Sequence, residues 1–373
     1  MGSSNKVEPQ AQIVLASSDL TQDMDFFSGL GFRLINIFPD DDPEVAVMAC
    51  FGLNIRLDKK SNAAEATIHI LTDEPELVAD GKKEIIAPNG TKVKVMPKSY
   101  EVVSPPTQHK FEVRQLRDKE PWVIGRAGML YRDLIPDRLG GSIMASHIRI
   151  PKGGPVPDMV HFHTIGFQLI FCYHGWVKLV YEDQGPPFIL KAGDCVTQPP
   201  EIRHRVLEAS DNLEVIEIGV PAAHMTTIDH DMVLPTKDYR PDREFQGQRF
   251  CHHKKEEAEW LPWNADGFEY RETGIAEATK GIESVQVARF AKSGSAPQPT
   301  IHNADILFTF VKQGKLTLEA DNQETQNLNK GDAFVIPPDL NYQFRNCSED
   351  LELLEVRLPG RRPKECQGIE ILQ

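Results

Sequence analysis

An internal repeat constrains the fold of this 373-residue chain more than any other feature. Residues 128–133 (GMLYRD) recur 139 residues later as residues 267–272 (GFEYRE). Further pairs keep that offset or slip from it by one residue: His163 and His302, Gly175 and Gly314, Gly193-Asp194 and Gly331-Asp332, Pro199-Pro200 and Pro337-Pro338. Several pairs in one register indicate two successive copies of one structural unit.

Each copy has the pattern of short β-strands. In the first copy, runs rich in Ile, Val, Leu and Phe at residues 142–150, 167–173, 177–182 and 213–218 predict strands, and Gly- and Pro-rich turns separate them. Many short strands at regular spacing predict an antiparallel barrel or jelly roll, which removes exposed strand edges. The polar, Pro-containing residues 235–249 predict a crossover arm or linker.

The first hundred residues have a different pattern. A strand is predicted at residues 12–16 and a short helix at residues 19–29, with an acidic start and a glycine stop. Three more strands are predicted at residues 32–38, 44–50 and 53–57. The predicted order of elements is therefore βαβββ.

This order, with Phe26-Phe27-x-x-Leu30-Gly31-Phe32 at the helix exit, resembles one module of the glyoxalase or vicinal-oxygen-chelate family over roughly residues 10–100. Members of that family pair such modules to build a metal site from His and Glu ligands. Here only His69 lies in the relevant stretch, and a second helix is not evident. We therefore expect a structural or dimerising role for the module.

Charge and targeting signals narrow the class of partners. The chain carries 41 Lys and Arg against 55 Asp and Glu, a formal charge of −14, which argues against nucleic-acid and anionic-membrane partners. No apolar run approaches the roughly 18 residues of a membrane span, and residues 1–6 lack the apolar core of a signal peptide. The six scattered cysteines predict reduced thiols, so we expect a cytoplasmic protein.

Three histidines of the first repeat carry the functional signal. His161 and His163 stand one residue apart, and alternate residues of a strand share a face, so both rings can point into a barrel. Gln168 follows His163 by five residues. After the next turns, Glu201 and His204 complete the pattern Gly-x5-Pro-x-Glu-x2-His.

These two stretches resemble the two motifs of the cupin superfamily, Gly-x5-His-x-His-x(3–4)-Glu-x6-Gly and Gly-x5-Pro-x-Gly-x2-His. With its repeat, the chain resembles a bicupin over about residues 105–365. It departs from the family at two positions, because Gln168 replaces a metal-binding Glu and Glu201 replaces a Gly.

The resemblance implies a mainly β protein with two tandem cupin (jelly-roll β-barrel) domains after a small α+β module. The predicted divisions are a glyoxalase-like module at 1–105, a metal-binding cupin at 106–235 and a degenerate cupin at 236–373. The family's habit of forming dimers suggests a homodimer.

The resemblance also implies a divalent metal ion held by His161, His163 and His204. Gln168 is either a fourth ligand or a donor to a bound water or substrate oxygen. Three neutral imidazoles suit Fe(II), Zn, Mn, Ni or Cu, of which we favour Fe(II). A Gln in place of a Glu leaves the ion's full +2 charge, which favours an anionic, chelating small-molecule substrate.

The second repeat lacks this ligand set. Thr300, His302, Leu307 and Tyr342 stand at the positions of the four candidate ligands. One His with a Thr, a Leu and a Tyr cannot hold a divalent ion well. We expect His302 to be a packed or hydrogen-bonded core residue and the second barrel to support the first.

Strand parity predicts the lining of the first barrel. The residues expected to point inward are Gln168, Ile170, Cys172, Gln198 and Val206, whereas Phe162, Arg203 and Arg205 are expected outside. Tyr131 and Arg132 precede the motifs and could approach the mouth. Because the second repeat keeps the same pair as Tyr270 and Arg271, a structural role is favoured for both.

Three functions remain open from the sequence. The favoured one is an Fe(II)-type dioxygenase, since His161-Phe162-His163-Thr164 is similar to the opening of bicupin enzymes that cleave gentisate-like hydroxybenzoates. The second is a non-redox isomerase, lyase or decarboxylase in which Glu201 or Tyr131 moves a proton. The third is a small-molecule-binding cupin without catalysis. Gln168, Glu201 and Tyr131 are the candidate catalytic residues.

Overall fold

The structure is a computed structural model that describes residues 10–29, 32–50, 52–62, 67–74, 76, 81–86, 92–98, 102–118, 121–263, 267–291 and 299–359. It is mainly β, as predicted, and the described residues form strands β1–β32, numbered in chain order. They cluster into two compact units. The first comprises Met1–Val103, Met159–Thr164 and Ala223–Met232, and the second comprises Ser104–Asp158, Ile165–Ala222 and Val233–Gln373.

The first unit is built on one mixed sheet. Its strands are β1 Gln10–Ala16, β2 Arg33–Phe38, β3 Val45–Cys50, β4 Leu53–Asp58, β5 Thr67–Leu71, β6 Glu84–Ile86, β7 Lys92–Met96, β13 His161–Thr164 and β20 Met225–Ile228. Their order is β6-β7-β5-β1-β4-β3-β2-β20-β13. The pairs β1–β4 and β5–β7 are parallel and the others are antiparallel. The strand that carries His161 and His163 therefore belongs to the sheet of the N-terminal residues.

One helix, α1 Leu20–Gly29, covers part of this sheet. The Asp19 carboxylate accepts a hydrogen bond from the Gln22 amide at 3.0 Å, which caps the helix start. Leu20, Met24 and Phe27 recur at helical spacing and pack on the apolar sheet cluster. These elements confirm the predicted βαβββ order for the described part of residues 10–58. Leu30 and Gly31 of the predicted helix exit lie outside the described residues.

The first repeat forms two antiparallel groups of strands. Its strands are β9 Val123–Ile124, β10 Leu130–Asp133, β11 Met144–Ile150, β12 Gly154–Pro155, β14 Phe167–His174, β15 Trp176–Tyr181, β16 Phe188–Lys191, β17 Cys195–Thr197, β18 His204–Ala209 and β19 Leu213–Val220. The two orders are β9-β10-β11-β19-β14-β17 and β16-β15-β18-β12. The four strands predicted from apolar runs are β11, β14, β15 and β19, so that prediction is confirmed.

The second repeat has the same pairing order. Its strands are β24 Leu261–Pro262, β25 Phe268–Glu272, β26 Ser284–Phe290, β27 Ile306–Gln313, β28 Lys315–Ala320, β29 Gln326–Asn329, β30 Ala333–Ile336, β31 Tyr342–Arg345 and β32 Glu352–Leu358. The orders β24-β25-β26-β32-β27-β30 and β29-β28-β31 match those of the first repeat. The predicted repeat is thus confirmed strand by strand.

The two barrels exchange a short strand. β8 Glu112–Arg114 precedes the first barrel and pairs with β30 of the second. Reciprocally, β23 Cys251–His253 precedes the second barrel and pairs with β17 of the first. Between these elements, β21 Glu244–Phe245 and β22 Gln248–Arg249 form a hairpin within the predicted linker. Each barrel therefore completes the other's sheet.

Two buried arginines strengthen this exchange. Arg132 donates a hydrogen bond to the Gly331 carbonyl oxygen at 2.8 Å, and Arg271 donates to the Gly193 carbonyl oxygen at 2.7 Å. Gly193 and Gly331 occupy the same turn of the two repeats, and φ values of 98° and 90° require glycine there. The predicted structural role of Arg132 is confirmed.

Strand parity separates the barrel interiors from the cluster between the barrels. Ile170, Cys172 and Val206 pack in the interior of the first barrel, as predicted. Leu169 and Phe171, which alternate with the inward residues of β14, pack in the cluster shared by both repeats. Arg205 is exposed and Arg203 and Phe162 are half-buried, which agrees with their predicted outward parity.

The described thiols are free, as predicted, at Cys172, Cys195, Cys251 and Cys347. Burial raises the pKa of the Cys172 thiol to about 12. Cys366, the side chain of Cys50 and the N-terminal residues 1–6 lie outside the described residues. No helix among the described residues is long and apolar enough to span a membrane.

Candidate metal centre

Two of the candidate ligands lie on β13. Pro157 lacks a backbone N–H for strand pairing, and β13 begins four residues later at His161. The buried rings of His161 and His163 have centroids 5.2 Å apart at an interplanar angle of 89°. His161 Nδ1 lies 2.8 Å from the Met159 carbonyl oxygen, and His163 Nδ1 lies 3.0 Å from Thr226 Oγ1 on β20.

His204 begins β18 after a tight turn. The Ile202 amide donates to the Pro199 carbonyl oxygen at 3.2 Å, which closes the turn. His204 Nδ1 lies 2.9 Å from the Ile202 carbonyl oxygen, and its Nε2 lies 2.6 Å from Nε2 of Gln198. The Tyr181 ring stacks on the imidazole, with centroids 5.4 Å apart. Burial, with a smaller contribution from Glu217, raises the pKa of Tyr181.

These contacts fix the tautomers of His161 and His204. A carbonyl oxygen can only accept, so Nδ1 of His161 and Nδ1 of His204 each carry the proton. Thr226 Oγ1 can either accept from Nδ1 of His163 or donate to it. The lone pairs of His161 and His204 then lie on Nε2, and that of His204 accepts from the Gln198 amide, a hydrogen bond that a bound ion would replace. Histidine ligands of metal ions have the same arrangement, in which the second nitrogen donates to a fixed oxygen.

The structure brings the three predicted histidines together. Nitrogen atoms of His161, His163 and His204 all lie within 4.8 Å of one another, and all three residues are buried. Nitrogens bound to one ion at about 2.1 Å with tetrahedral angles are about 3.4 Å apart. Binding would therefore draw the nitrogens together by up to about 1.4 Å. Among the described residues, no other group of three or more His, Cys, Asp or Glu has this spacing.

Gln168 is buried in the first barrel, as predicted. Its Nε2 donates to Glu217 Oε1 at 2.5 Å, and its Oε1 has no hydrogen-bond partner among the described residues. An amide oxygen that is buried and unpaired is suited to accept a ligand or a cation.

Glu201 occupies the turn before His204 in a conformation that normally requires glycine. Its φ is +64°, and Asp339 at the same place in the second repeat also has φ +64°. The third residue of this kind of turn needs a positive φ, which accounts for the Gly of the family motif. The Glu201 carboxylate makes no hydrogen bond or ion pair with a described residue.

Tyr131 is buried in the interior of the first barrel, where its hydroxyl lies 3.9 Å from Met129 Sδ. A catalytic role for Tyr131, like that for Glu201, stays a prediction.

The second repeat shows why His302 cannot replace a metal ligand. Its Nδ1 accepts from the Ala304 amide at 3.2 Å, and its Nε2 lies 3.1 Å from the Ile336 carbonyl oxygen. One nitrogen therefore accepts and the other donates, and, unlike His204, His302 has no second imidazole beside it, because Thr300 and Tyr342 stand at the equivalent positions. Leu307 and Tyr342 are packed in the second barrel's apolar interior. The prediction of a hydrogen-bonded core histidine is confirmed.

Three residues near the candidate ligands were not predicted from the sequence. Thr226 contacts His163, the buried His224 ring lies 5.4 Å from the His163 ring, and Glu217 binds Gln168. Glu217 alternates with Leu213 and Val215, which face the barrel interior. The sequence could have indicated Glu217, because a charged residue on the inward-facing side of an apolar strand is unusual. For Thr226 and His224 the sequence has no such signal.

Comparison with known proteins agrees with the fold. Residues 286–357 match the family model described as "Cupin domain". This part of the chain is similar to a cupin domain. The match falls on the second repeat, which lacks the histidine set. No curated protein matches the chain.

Solved structures resemble this chain over about two thirds of its length. Ylba from E. coli has a TM-score of 0.50 and 13% identity, with 71% of this chain and 96% of that chain covered. Salicylate 1,2-dioxygenase from Pseudaminobacter salicylatoxidans has a TM-score of 0.50 and 16% identity, with 68% and 86% covered. Oxalate decarboxylase from Lactobacillus farciminis has a TM-score of 0.49 and 14% identity, with 69% and 90% covered. The first two likenesses support the predicted bicupin fold.

Proposed function

We propose that this protein is a metal-dependent cupin enzyme of the Fe(II) dioxygenase type, acting on a small, anionic, chelating organic substrate. The observation that carries the proposal is the buried group of His161, His163 and His204, with each Nδ1 held by an oxygen atom. Such a group is costly to bury unless its lone pairs are used.

The residues fit a divalent cation, and each has a defined task. The three Nε2 atoms are the proposed ligands, and the Met159 and Ile202 carbonyl oxygens keep the rings of His161 and His204 oriented. When bound, the ion would supply Lewis-acid character and a point of attachment for the substrate. Gln168 adds no negative charge to this set, so an anionic substrate is favoured by the charge of the ion.

The remaining interior of the barrel suits a small organic molecule. Ile170, Cys172 and Val206 form an apolar wall, and Tyr181 stacks beside His204. Such a lining excludes water and strengthens the few polar contacts that orient a ligand. The structural likeness to a salicylate 1,2-dioxygenase supports the choice of hydroxybenzoates as first test substrates.

The other sequence predictions complete the proposal. We propose a glyoxalase-like module at 1–105 with a structural role, a metal-binding cupin at 106–235 and a degenerate cupin at 236–373. The assembly proposed is a cytoplasmic homodimer.

The test combines metal analysis with oxygen uptake. Metal content is measured after purification and after loading with Fe(II), Zn or Mn(II), and O2 consumption is followed with salicylate, gentisate and β-dicarbonyl acids. We expect close to one ion per chain and O2 uptake with Fe(II). His163→Ala should abolish both, whereas the matched variant His302→Ala should retain both because His302 uses both nitrogens internally.

Different results separate the alternatives. Turnover that is unchanged without oxygen would refute the dioxygenase and support the non-redox enzyme. Stoichiometric metal without turnover of any tested acid would support the binding protein. Equal metal loss in His163→Ala and His302→Ala would refute the assignment of the ligands to the first barrel.

A further inference from the structure

A buried amide–carboxylate pair lies inside the first barrel. Gln168 on β14 and Glu217 on β19 are only 1% and 4% exposed, and Gln168 Nε2 donates to Glu217 Oε1 at 2.5 Å. The two strands are neighbours, with Ile170 opposite Glu217, so the pair lies diagonally across the ladder.

The carboxylate determines which end of the amide faces it. An ionised carboxylate can only accept, so the partner atom must be the amide nitrogen of Gln168. The amide oxygen is consequently directed away from Glu217. Glu217 thus holds the Gln168 side chain in one orientation, in which the amide oxygen is buried and has no hydrogen-bond partner among the described residues.

The pair is linked to the third candidate ligand. The Gln198 amide donates to the Gln168 carbonyl oxygen at 2.9 Å, and the Gln198 side chain contacts His204 Nε2 at 2.6 Å. Tyr181, whose ring stacks on His204, lies within the electrostatic influence of Glu217. Gln198 thus links the Gln168 backbone to the imidazole that the proposed function assigns to the ion.

The second repeat provides an internal comparison. Glu355 occupies the position of Glu217, but Leu307 occupies that of Gln168, and Glu355 accepts instead from Gln286 Nε2 at 2.7 Å. The carboxylate is therefore present in both barrels. The amide that faces it from β14 is present only in the barrel that has the three histidines.

We propose that Glu217 is a positioning residue that orients the side-chain amide oxygen of Gln168 as the fourth ligand of the ion. Glu217 also supplies the negative charge that a ligand carboxylate would otherwise supply. At the position of the Glu in the family motif, this chain has the neutral amide of Gln168. The negative charge lies instead on Glu217, which contacts Gln168. This inference rests on the proposed function. Mutation of a residue that hydrogen-bonds to a metal ligand typically weakens metal affinity about 10- to 100-fold.

The first experiment is a double-mutant cycle on metal binding. Dissociation constants for Mn(II) and Zn are measured for the full-length wild type, Glu217→Gln, Gln168→Leu and the double variant. We expect Glu217→Gln to weaken binding about 10- to 100-fold and to have much less effect in the Gln168→Leu background. The matched variant Glu355→Gln should leave the affinity unchanged. Thermal unfolding without metal checks that each variant is folded.

The second experiment exchanges the charge between the two residues. Gln168→Glu alone places two carboxyl groups within hydrogen-bond distance, where one of them stays protonated, and binding should weaken because the ion must displace that proton. Adding Glu217→Gln restores one amide and one carboxylate, with the charge now at the ligand position. The exchanged protein should bind Mn(II) within about 10-fold of wild type, and more tightly than either single variant.

The outcomes distinguish the two proposals. A wild type that binds neither ion refutes the proposed function and this inference together. Wild-type binding that Glu217→Gln leaves unchanged refutes only the inference. Two further results would each show that Glu217 does not act through Gln168. In the first, Glu217→Gln weakens metal binding equally in the wild-type and Gln168→Leu backgrounds. In the second, the exchanged protein binds Mn(II) no more tightly than Glu217→Gln.

Discussion

A buried carboxyl group in the second repeat provides a test of the structure. Glu283 is 0% exposed, and neither of its carboxyl oxygens has a hydrogen-bond partner among the described residues. Burial raises the pKa of this carboxyl well above its usual range. Ile143 occupies the corresponding place in the first repeat, one residue before the strand, and is equally buried.

The pH dependence follows from the direction of that shift. In the folded protein Glu283 keeps its proton at pH values where the unfolded chain has lost it. Its contribution to the free energy of unfolding is therefore complete below the unfolded pKa of about 4.3 and is lost as the pH rises towards the folded value. One proton gives a slope of up to about 1.4 kcal/mol per pH unit between the two pKa values, so the loss between pH 5 and 7 is at most about 2.5 kcal/mol.

We therefore expect Glu283→Gln to gain stability over the wild type by up to that amount between pH 5 and 7. Denaturant unfolding at pH 5, 6 and 7 measures the difference. Glu277→Gln removes one formal charge from an exposed side chain on the preceding helical turn and serves as the control. Glu283→Ile, which copies the first repeat, should show the same slope. Parallel curves for wild type and Glu283→Gln would refute the buried, unpaired carboxyl.

Three further perturbations test other parts of the structure. Glu201→Gly should raise the free energy of unfolding by about 0.5 kcal/mol, because glycine adopts the left-handed backbone conformation of this residue at lower cost. Denaturant midpoints measure this difference, and a loss of stability would contradict it. Thr226→Val should weaken Zn binding about 10-fold by releasing His163; a metal titration with unchanged affinity would contradict it. Arg271→Met should lower the free energy of unfolding by about 3 kcal/mol, because buried hydrogen bonds between the barrels are lost; a denaturant curve that matches the wild type would contradict it.

The sequence predicted those features that depend on local periodicity. The boundaries of β11, β14, β15 and β19 follow apolar runs between turn residues, and each barrel repeats the same run of turns. Three histidines on two short strands could be assigned because alternate residues share a face and because the motif spacing is narrow. The same parity separated Ile170 and Cys172 from Leu169 and Phe171.

Long-range pairing could not be predicted in this way. β8 is three residues long, and its Arg114 pairs with Ala333, more than two hundred residues later. Nothing in such a short segment indicates which barrel it joins, since the choice depends on the open edge of a sheet that forms elsewhere. Glu217 was missed for a related reason, because its contact with Gln168 exists only once β14 and β19 are paired.

Sheet pairing also explains how an N-terminal module can matter for ligands that it does not contain. β2 pairs with β20 through Asn36–Thr227 and Ile37–Thr226, and β20 pairs with β13 through His163–Thr226 and His161–Ile228. Thr226 is thus held on one side by the N-terminal sheet and contacts the His163 ring on the other. Because backbone ladders fix the height and tilt of neighbouring strands, the module sets the geometry of β13. A packed supporting strand orients a ligand more precisely than a loop does, which supports the structural role proposed for the module.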